Sequence, residues 1–176
     1  MKYFFFFIVF FQSYCQTKLE VLVLKELNAF RKLHNNEQNE IRPVNYSVEI
    51  SKAASHHAKW MAIADSCTHY ETIDLPNFKE LFAPEDRGEF YNILDDIYFL
   101  NEICNISKAI VTKFPYENYK SNQVLAKDII MQFAASKKGH REGMLIPVSV
   151  DQIIDVGIST IIKGPKAYTT IFFVIK

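Results

Sequence analysis

The chain has 176 residues, of which 49% are hydrophobic and 14% aromatic, so it can bury one substantial core but is short for two independent domains. It carries 20 basic and 20 acidic side chains, and this balance provides no overall field that would favour a nucleic acid or an anionic membrane as a partner. We therefore expect one domain that does not bind nucleic acid.

Residues 1–15 have the order of a secretory signal peptide. A positively charged start is followed by an apolar run over residues 3–11, and the small residues Ser13 and Cys15 precede Gln16. We expect cleavage before Gln16 and a secreted or periplasmic domain over the remaining residues. The apolar run is too short to span a bilayer as a helix, so we expect no transmembrane anchor after cleavage. A lipid anchor at Cys15 is the alternative.

Two amphipathic helices are predicted next in the chain. Thr17 and Glu20 have the spacing of a capping box, and the apolar residues that follow predict a helix ending near Asn35. A second helix is predicted to begin near Ser47. The residues of its predicted inward face recur at helical spacing and are Ile50, Ala54, His57, Met61 and Ala64.

Residues 74–98 are acidic and aromatic, which predicts an insertion with a short helix near residues 90–100. A further helix is predicted from Leu125, Ile129 and Phe133, which recur every four residues. Gly139 is the residue type that favours the left-handed conformation at a helix C-terminus, so we expect the helix to end there. This would present His140 at a rigid edge, where an imidazole can bind a metal or relay a proton.

The C-terminal residues alternate in hydrophobicity as in β-strands. Ile154, Val156, Ile158 and Ile162 share one strand face, and the turn at residues 163–166 leads into a second strand. Helices early in the chain and an antiparallel hairpin late in the chain predict an α+β fold.

Several sequence segments, in this order, resemble the CAP superfamily of cysteine-rich secretory, antigen 5 and pathogenesis-related proteins, with bacterial SCP-like members most similar. The segments are Leu27-Asn28-Ala29-Phe30-Arg31, then residues 54–62 leading to His69, residues 136–145, Asp155-Val156-Gly157-Ile158, and residues 168–173. Together they span nearly all of the chain that follows the predicted signal peptide.

The resemblance implies an α-β-α sandwich, with a small antiparallel sheet between helical layers and a cleft formed by two histidines and acidic residues. By this resemblance, His69 and His140 are the cleft histidines, and Glu102 matches the acid of the family's Gly-Glu-Asn motif. Asn101 and Ile103 replace the glycine and asparagine of that motif. No residue is identified as the second acid.

Two imidazoles and a carboxylate can bind Zn²⁺ or another divalent metal with a water in an open position. His69 and His140 are therefore candidate metal ligands, with Glu102 a weaker candidate. The alternative is that the two histidines only hydrogen-bond to local backbone groups. Arg141 is a candidate for binding an anion in the cleft, or for stabilising carbonyl groups at a helix end.

Cys67 lies two residues before His69, and Cys104 lies two residues after Glu102. If the cleft residues are neighbours, a disulfide between these cysteines would join the two segments that carry the cleft. The alternative is two free cysteines in the core. His57 lies on the apolar face of its helix and is interpreted as a core residue, whereas His56 is expected to face solvent.

The sequence supports three functional hypotheses. The first is a secreted binding domain whose cleft takes a small molecule, lipid, peptide or envelope component, with or without a metal. The second is a metal- or thiol-dependent hydrolase. The third is a non-catalytic scaffold that presents residues 74–98 to a protein partner. The first is preferred.

Overall fold

The computed structural model describes residues 16–35, 40–95, 97–112, 118–149 and 151–176. The predicted signal peptide, including Cys15, lies outside these residues. The helices are α1 (Lys18–Leu33), α2 (Val48–Ala64), α3 (Pro84–Phe90), α4 (Asn122–Ala134) and α5 (His140–Met144). Within the described ranges, no helix combines the length and apolar character needed to cross a membrane.

The strands are β1 (Asn45–Tyr46), β2 (Phe99–Lys108), β3 (Ile110–Thr112), β4 (Asn118–Tyr119), β5 (Ile154–Lys163) and β6 (Lys166–Ile175). Four of them form a sheet in the order β1-β5-β6-β2. Strands β5 and β6 form the predicted antiparallel hairpin, β2 pairs antiparallel with β6, and β1 pairs parallel with β5. Strands β3 and β4 form a separate antiparallel pair.

Local capping interactions explain where the first two helices begin. Thr17 accepts a hydrogen bond from the backbone amide of Glu20, whose carboxylate accepts one from the Thr17 amide, so the predicted capping box is confirmed. The Ser47 hydroxyl accepts a hydrogen bond from the amide of Ile50 and caps α2.

Strand β6 has apolar side chains on both faces, which requires a helical layer on each side of the sheet. Ile171, Phe173 and Ile175 belong to a core cluster shared with α1 and α4. Phe172 and Val174 belong to a different cluster with Ile50, Ala53 and Ala54 of α2. The predicted α-β-α sandwich is confirmed, because successive residues of a strand point to opposite layers.

Helix α2 approaches the sheet closely at Gly157 of β5. A Cβ atom at this position would lie 2.2 Å from the backbone carbon of Ile50. The amide of Ile158 donates a hydrogen bond to the Ser51 hydroxyl of the same helix at 3.2 Å. A glycine is therefore needed here for the helix to reach the sheet.

Two of the predicted local features are wrong. The short helix of the insertion spans Pro84–Phe90 rather than residues 90–100, where β2 begins at Phe99. The helix that carries Phe133 ends at Ala134, well before Gly139. Gly139 does have a positive φ of 84°, but it is the N-cap of α5, so His140 begins a helix instead of following one.

Candidate functional site

Three different parts of the fold contribute the predicted cleft residues. His69 lies in the loop after α2, Glu102 lies on β2, and His140 is the first residue of α5. The structure brings these side chains together. Nδ1 of His69 lies 3.2 Å from Oε1 of Glu102, and the His69 and His140 ring centroids are 5.8 Å apart in an edge-to-face arrangement.

The two imidazoles are partly accessible, whereas the carboxylate beside them is buried. The His69 side chain is 36% exposed and the Glu102 side chain is 0% exposed. The ring of His140 also packs edge-on against Phe133 of α4, at 5.5 Å between centroids. Burial, together with the nearby His69 and Lys138, lowers the pKa of His140. The neutral imidazole of His140, which is the metal-binding form, is therefore favoured at neutral pH.

Arg87 of α3 neutralises the buried carboxylate of Glu102. Its Nη2 atom donates hydrogen bonds to both oxygens of Glu102, at 2.9 and 2.8 Å, and its Nε atom adds a third at 3.1 Å. Arg87 also donates to the backbone carbonyl of His69 at 2.8 Å. One fully buried guanidinium thus fixes both the carboxylate and the loop that carries the histidine.

A second buried carboxylate, Glu71, extends this network. Its Oε1 lies 3.1 Å from Nδ1 of His57 and 3.3 Å from Nη1 of Arg87, and its Oε2 accepts a hydrogen bond from the amide of Leu81. Burial alone would raise the pKa of Glu71. The contact with His56, the hydrogen bonds from His57 and the Leu81 amide, and the charge of Arg87 outweigh burial and lower that pKa to about 2.

The neighbouring histidines of α2 both face this network. His57 is fully buried as predicted, and its Nε2 lies 2.7 Å from the carbonyl of Thr68 and 3.6 Å from Oε1 of Glu102. The prediction that His56 faces solvent is wrong, because His56 is only 9% exposed and lies 3.4 Å from Oε2 of Glu71. The imidazole of His56 is covered by the aromatic rings of Phe78 and Tyr91.

Sequence reasoning did not identify Glu71 or Arg87 as members of this site. The available signal for Glu71 was its position two residues after His69. Arg87 lies within a mostly acidic segment, where it had no distinguishing pattern. It is recognised only when α3 packs beside β2.

Arg141 lies apart from the network formed by Arg87 and the carboxylates. Its side chain is exposed, and its Nη2 atom is 3.4 Å from Nε2 of His34 at the end of α1. It follows His140 in α5, so it lies near the cleft but contacts a different histidine.

The two predicted disulfide partners are in contact and are present as free thiols. The Sγ atoms of Cys67 and Cys104 are 3.7 Å apart, and the Cys67 thiol also lies 3.5 Å from the carbonyl oxygen of Cys104. The interaction with Cys104 lowers the pKa of Cys67 to about 7, against the effect of burial and with help from the charge of His69. The same interaction, with burial, raises the pKa of Cys104.

Two groups of donor atoms could hold a metal ion, and the pair at His69 and His140 suits an ion better than the group that includes His57. Ligand atoms of His57, Glu102 and Cys104 lie within 4.8 Å of one another and could hold an ion. However, both nitrogens of His57 and both oxygens of Glu102 already have partners, and the Arg87 cation lies beside them. His69 and His140 are partly exposed, and Glu102 orients His69 in the way that carboxylates behind a metal site orient metal-binding imidazoles.

Solved structures of bacterial proteins have a fold similar to that of this chain. An outer surface protein from Borrelia burgdorferi is 14% identical, with 91% of this chain and 94% of that chain covered and a TM-score of 0.57. An extracellular protein containing a SCP domain from Bacillus anthracis str. Ames is 17% identical, with 88% of this chain and 39% of that chain covered and a TM-score of 0.52. These similarities concern the fold.

Among curated proteins, no relative is found by sequence. The model of the cysteine-rich secretory protein (CAP) family matches residues 24–151, from the first helix to the segment before β5. This match covers more than half of the chain and includes His69, Glu102 and His140. The protein therefore belongs to the cysteine-rich secretory protein family.

Proposed function

We propose that this protein is a secreted or periplasmic CAP domain that binds a small or extended ligand at the cleft of His69, Glu102 and His140. The observation that carries the proposal is the pair of partly exposed imidazoles, 5.8 Å apart, one of which is fixed by a buried carboxylate. Such a pair offers preorganised hydrogen-bonding and metal-binding atoms at the surface. The ligand classes it suits are a small molecule, a lipid head group, a peptide or an envelope component.

The hydrogen-bond partners of the candidate catalytic groups favour a binding function over hydrolysis. A general base must be within reach of the proton that it removes, but both oxygens of Glu102 accept hydrogen bonds from Arg87 in the protein interior. The Cys67 thiol hydrogen-bonds to Cys104, and His69 acts on it through charge rather than through a hydrogen bond that could remove its proton. We therefore assign Glu102 to positioning His69 and propose no catalytic step.

We further propose that His69 and His140 hold a divalent metal such as Zn²⁺, with Glu102 orienting His69 rather than binding the ion. Bound Zn²⁺ would supply a Lewis-acidic centre that attracts carboxylate or carbonyl oxygens of a ligand. The lowered pKa of His140 supports this assignment, because a neutral imidazole needs to lose no proton before it coordinates.

Isothermal titration of the purified protein with Zn²⁺ alone tests the metal assignment. We expect one saturable site whose affinity falls at least tenfold in His69→Ala and in His140→Ala, in line with the loss of one ligand. Cys67→Ser should retain the site, which excludes binding by the thiol pair. His34→Ala removes a histidine outside the cleft and is the matched control. Unchanged affinity in both cleft variants would contradict the assignment.

Thermal unfolding in the presence of candidate ligands tests the binding function itself. A fatty acid, a sterol, a short peptide and a cell-wall glycan are compared, because a ligand that binds the folded state raises the unfolding temperature. The expected result is a saturable increase with one class, reduced in the His69→Ala/His140→Ala variant, and recovery of the ligand unchanged. Recovery of a cleaved ligand would instead support a hydrolase.

A further inference from the structure

A second concave site lies between α2, the start of the insertion and the end of α3, and its lining includes His56, which contacts Glu71. It encloses about 370 Å³, which lies within the range of small-molecule sites. We call it the α2–α3 pocket. Its lining residues are Lys52, His56, Lys59, Asn77, Phe78, Lys79, Phe90 and Tyr91.

The charged residues that line the α2–α3 pocket are all basic. Lys52 and Lys59 lie on α2, seven residues apart and therefore on the same face as His56, and Lys79 faces them from the loop before α3. The ammonium group of Lys79 is 3.7 Å from the centre of the Phe90 ring, which is a cation–π contact. The chain as a whole has no net charge, so this grouping of lysines is a local feature.

The pocket lining also contains aromatic side chains that contact one another. The His56 imidazole is 4.7 Å from the Phe78 ring and 6.0 Å from the Tyr91 ring, between centroids. Nδ1 of His56 also lies 3.3 Å from the hydroxyl of Tyr91. The carboxylate of Glu71, 3.4 Å from Nε2 of His56, is fully buried and also contacts Arg87 and His57.

We propose that the α2–α3 pocket binds a small organic anion with a flat aromatic or other apolar body. The body would lie against Phe78, Phe90 and Tyr91, and the carboxylate, sulfonate or phosphate group would be held by Lys52 and Lys59. Aromatic walls supply apolar contact area, and grouped lysines supply the charge complementarity that selects an anion. The pocket has its own lining residues, so this inference does not depend on the function of the cleft.

Titration with 2-naphthoate, followed by NMR chemical shifts and by calorimetry, tests the proposal. The expected result is saturable 1:1 binding that weakens with added salt, with the uncharged analogue 2-naphthalenemethanol binding at least tenfold more weakly. Lys52→Gln/Lys59→Gln should weaken 2-naphthoate binding at least fivefold. The matched control is Lys25→Gln/Lys127→Gln, which removes two exposed lysines on other helices and should bind as the unchanged protein does.

Two further variants locate the binding site. Phe90→Ala should weaken both naphthalene compounds, because it removes one apolar wall. His140→Ala should leave 2-naphthoate binding unchanged, since that residue belongs to the cleft. The proposal is overturned by an absence of saturable binding, by equal binding of the acid and the alcohol, by unchanged affinity in Lys52→Gln/Lys59→Gln, or by loss of binding in His140→Ala.

Discussion

At the scale of single residues, the charge balance of the site depends on one cation. Glu71 and Glu102 are buried carboxylates, and both contact Arg87. Each ionised carboxylate would be costly to bury alone, and a guanidinium with several donors can satisfy both. The network therefore has a net charge close to that of one carboxylate, which the surrounding histidines and backbone amides stabilise further.

Replacing Arg87 by glutamine should destabilise the protein strongly. The change leaves two buried carboxylates without their counter-ion, and breaking a buried pair in this way costs about 3–5 kcal/mol. Chemical denaturation of Arg87→Gln at pH 7 measures the loss. Arg141→Gln is the matched control, because Arg141 is exposed and its loss should change the unfolding free energy by less than about 0.5 kcal/mol. Equal stability of the two variants would show that Arg87 is not needed for charge balance.

The lowered pKa of Glu71 predicts how stability depends on acid pH. Its pKa is about 2 in the folded protein against an ordinary value of 4.5, so the unfolded chain binds the proton more readily between these values. The stabilisation by Glu71 is therefore complete above pH 4.5 and is lost as the pH falls towards 2.

The variant Glu71→Gln tests this dependence. It should be less stable than the unchanged protein at pH 7, and its unfolding free energy should fall less steeply between pH 4.5 and pH 2. Denaturant unfolding at a series of pH values and constant ionic strength gives both curves. Glu26→Gln, which changes a carboxylate on α1 outside the Glu71 network, is the matched control. Parallel curves for Glu71→Gln and the unchanged protein would contradict the assigned ionisation.

At the scale of helices and strands, sequence patterns predicted the elements that are stabilised by residues close to one another in the chain. Helices α1 and α2 have capping side chains at Thr17 and Ser47, and the β5–β6 hairpin has a clear alternation and a turn. These features act over a few residues and can be read from the sequence. Strand β2 was missed because it is identified by pairing with β6, which lies more than fifty residues later.

Prediction of the candidate site from the sequence is limited in the same way, because part of the site is formed by contacts between distant residues. The family resemblance pointed to His69, Glu102 and His140, which the structure places together. Arg87 and Glu71 could not be predicted, because their role comes from the packing of α3 against β2 and not from any local pattern. His56 was wrongly predicted to face solvent because it lies outside the one apolar face that the sequence of α2 shows. In the structure, the insertion covers this other face of α2 as well.

Because α2 packs closely against β5, adding one methyl group at Gly157 should strongly lower the free energy of unfolding. In Gly157→Ala the new Cβ would meet the backbone of Ile50 at 2.2 Å, and backbone atoms cannot move aside as a flexible side chain can. We expect a loss of about 2 kcal/mol or more in unfolding free energy, within the upper range for overpacking. Denaturant unfolding measures it.

Gly164→Ala provides the comparison for Gly157→Ala. Gly164 has a positive φ of 54° and open space around its Cβ position, so its replacement carries only the backbone cost of about 1 kcal/mol. The methyl group at position 157 should therefore cost more than the one in the turn. The reverse order would show that α2 can move away from the sheet without loss.

At the scale of the whole molecule, the cleft lies where both helical layers reach the same edge of the sheet. Strand β2 is an edge strand in the order β1-β5-β6-β2. α5 approaches β2 closely at Gly143, where an added Cβ would lie 2.5 Å from the Asn101 side chain. The loop that follows α2 reaches β2 through His69 and Cys67. The site is thus assembled from segments far apart in the chain, and its geometry depends on how firmly the loop is attached to β2.

Oxidation of Cys67 and Cys104 should attach the loop covalently. With glutathione disulfide as oxidant, the Cys67 thiolate displaces one glutathione thiolate and forms a mixed disulfide, and the Cys104 thiolate then attacks Cys67 and releases the second. The Sγ atoms, 3.7 Å apart, need only a small approach to bond. Closing a loop of about 37 residues should stabilise the protein by about 4 kcal/mol, if the bond forms without strain.

Mass spectrometry and denaturation together decide whether this bond forms. A digest of the oxidised protein without reductant should contain the peptides of Cys67 and Cys104 joined, and both cysteines should be alkylated only after reduction. The oxidised protein should also unfold at higher denaturant concentration than the reduced protein. Cys67→Ser should show no such difference, because it leaves Cys104 without a partner. Alkylation of both cysteines in the oxidised protein would contradict the predicted disulfide and would leave the loop held by non-covalent contacts such as the His69–Glu102 contact and the hydrogen bond from Arg87.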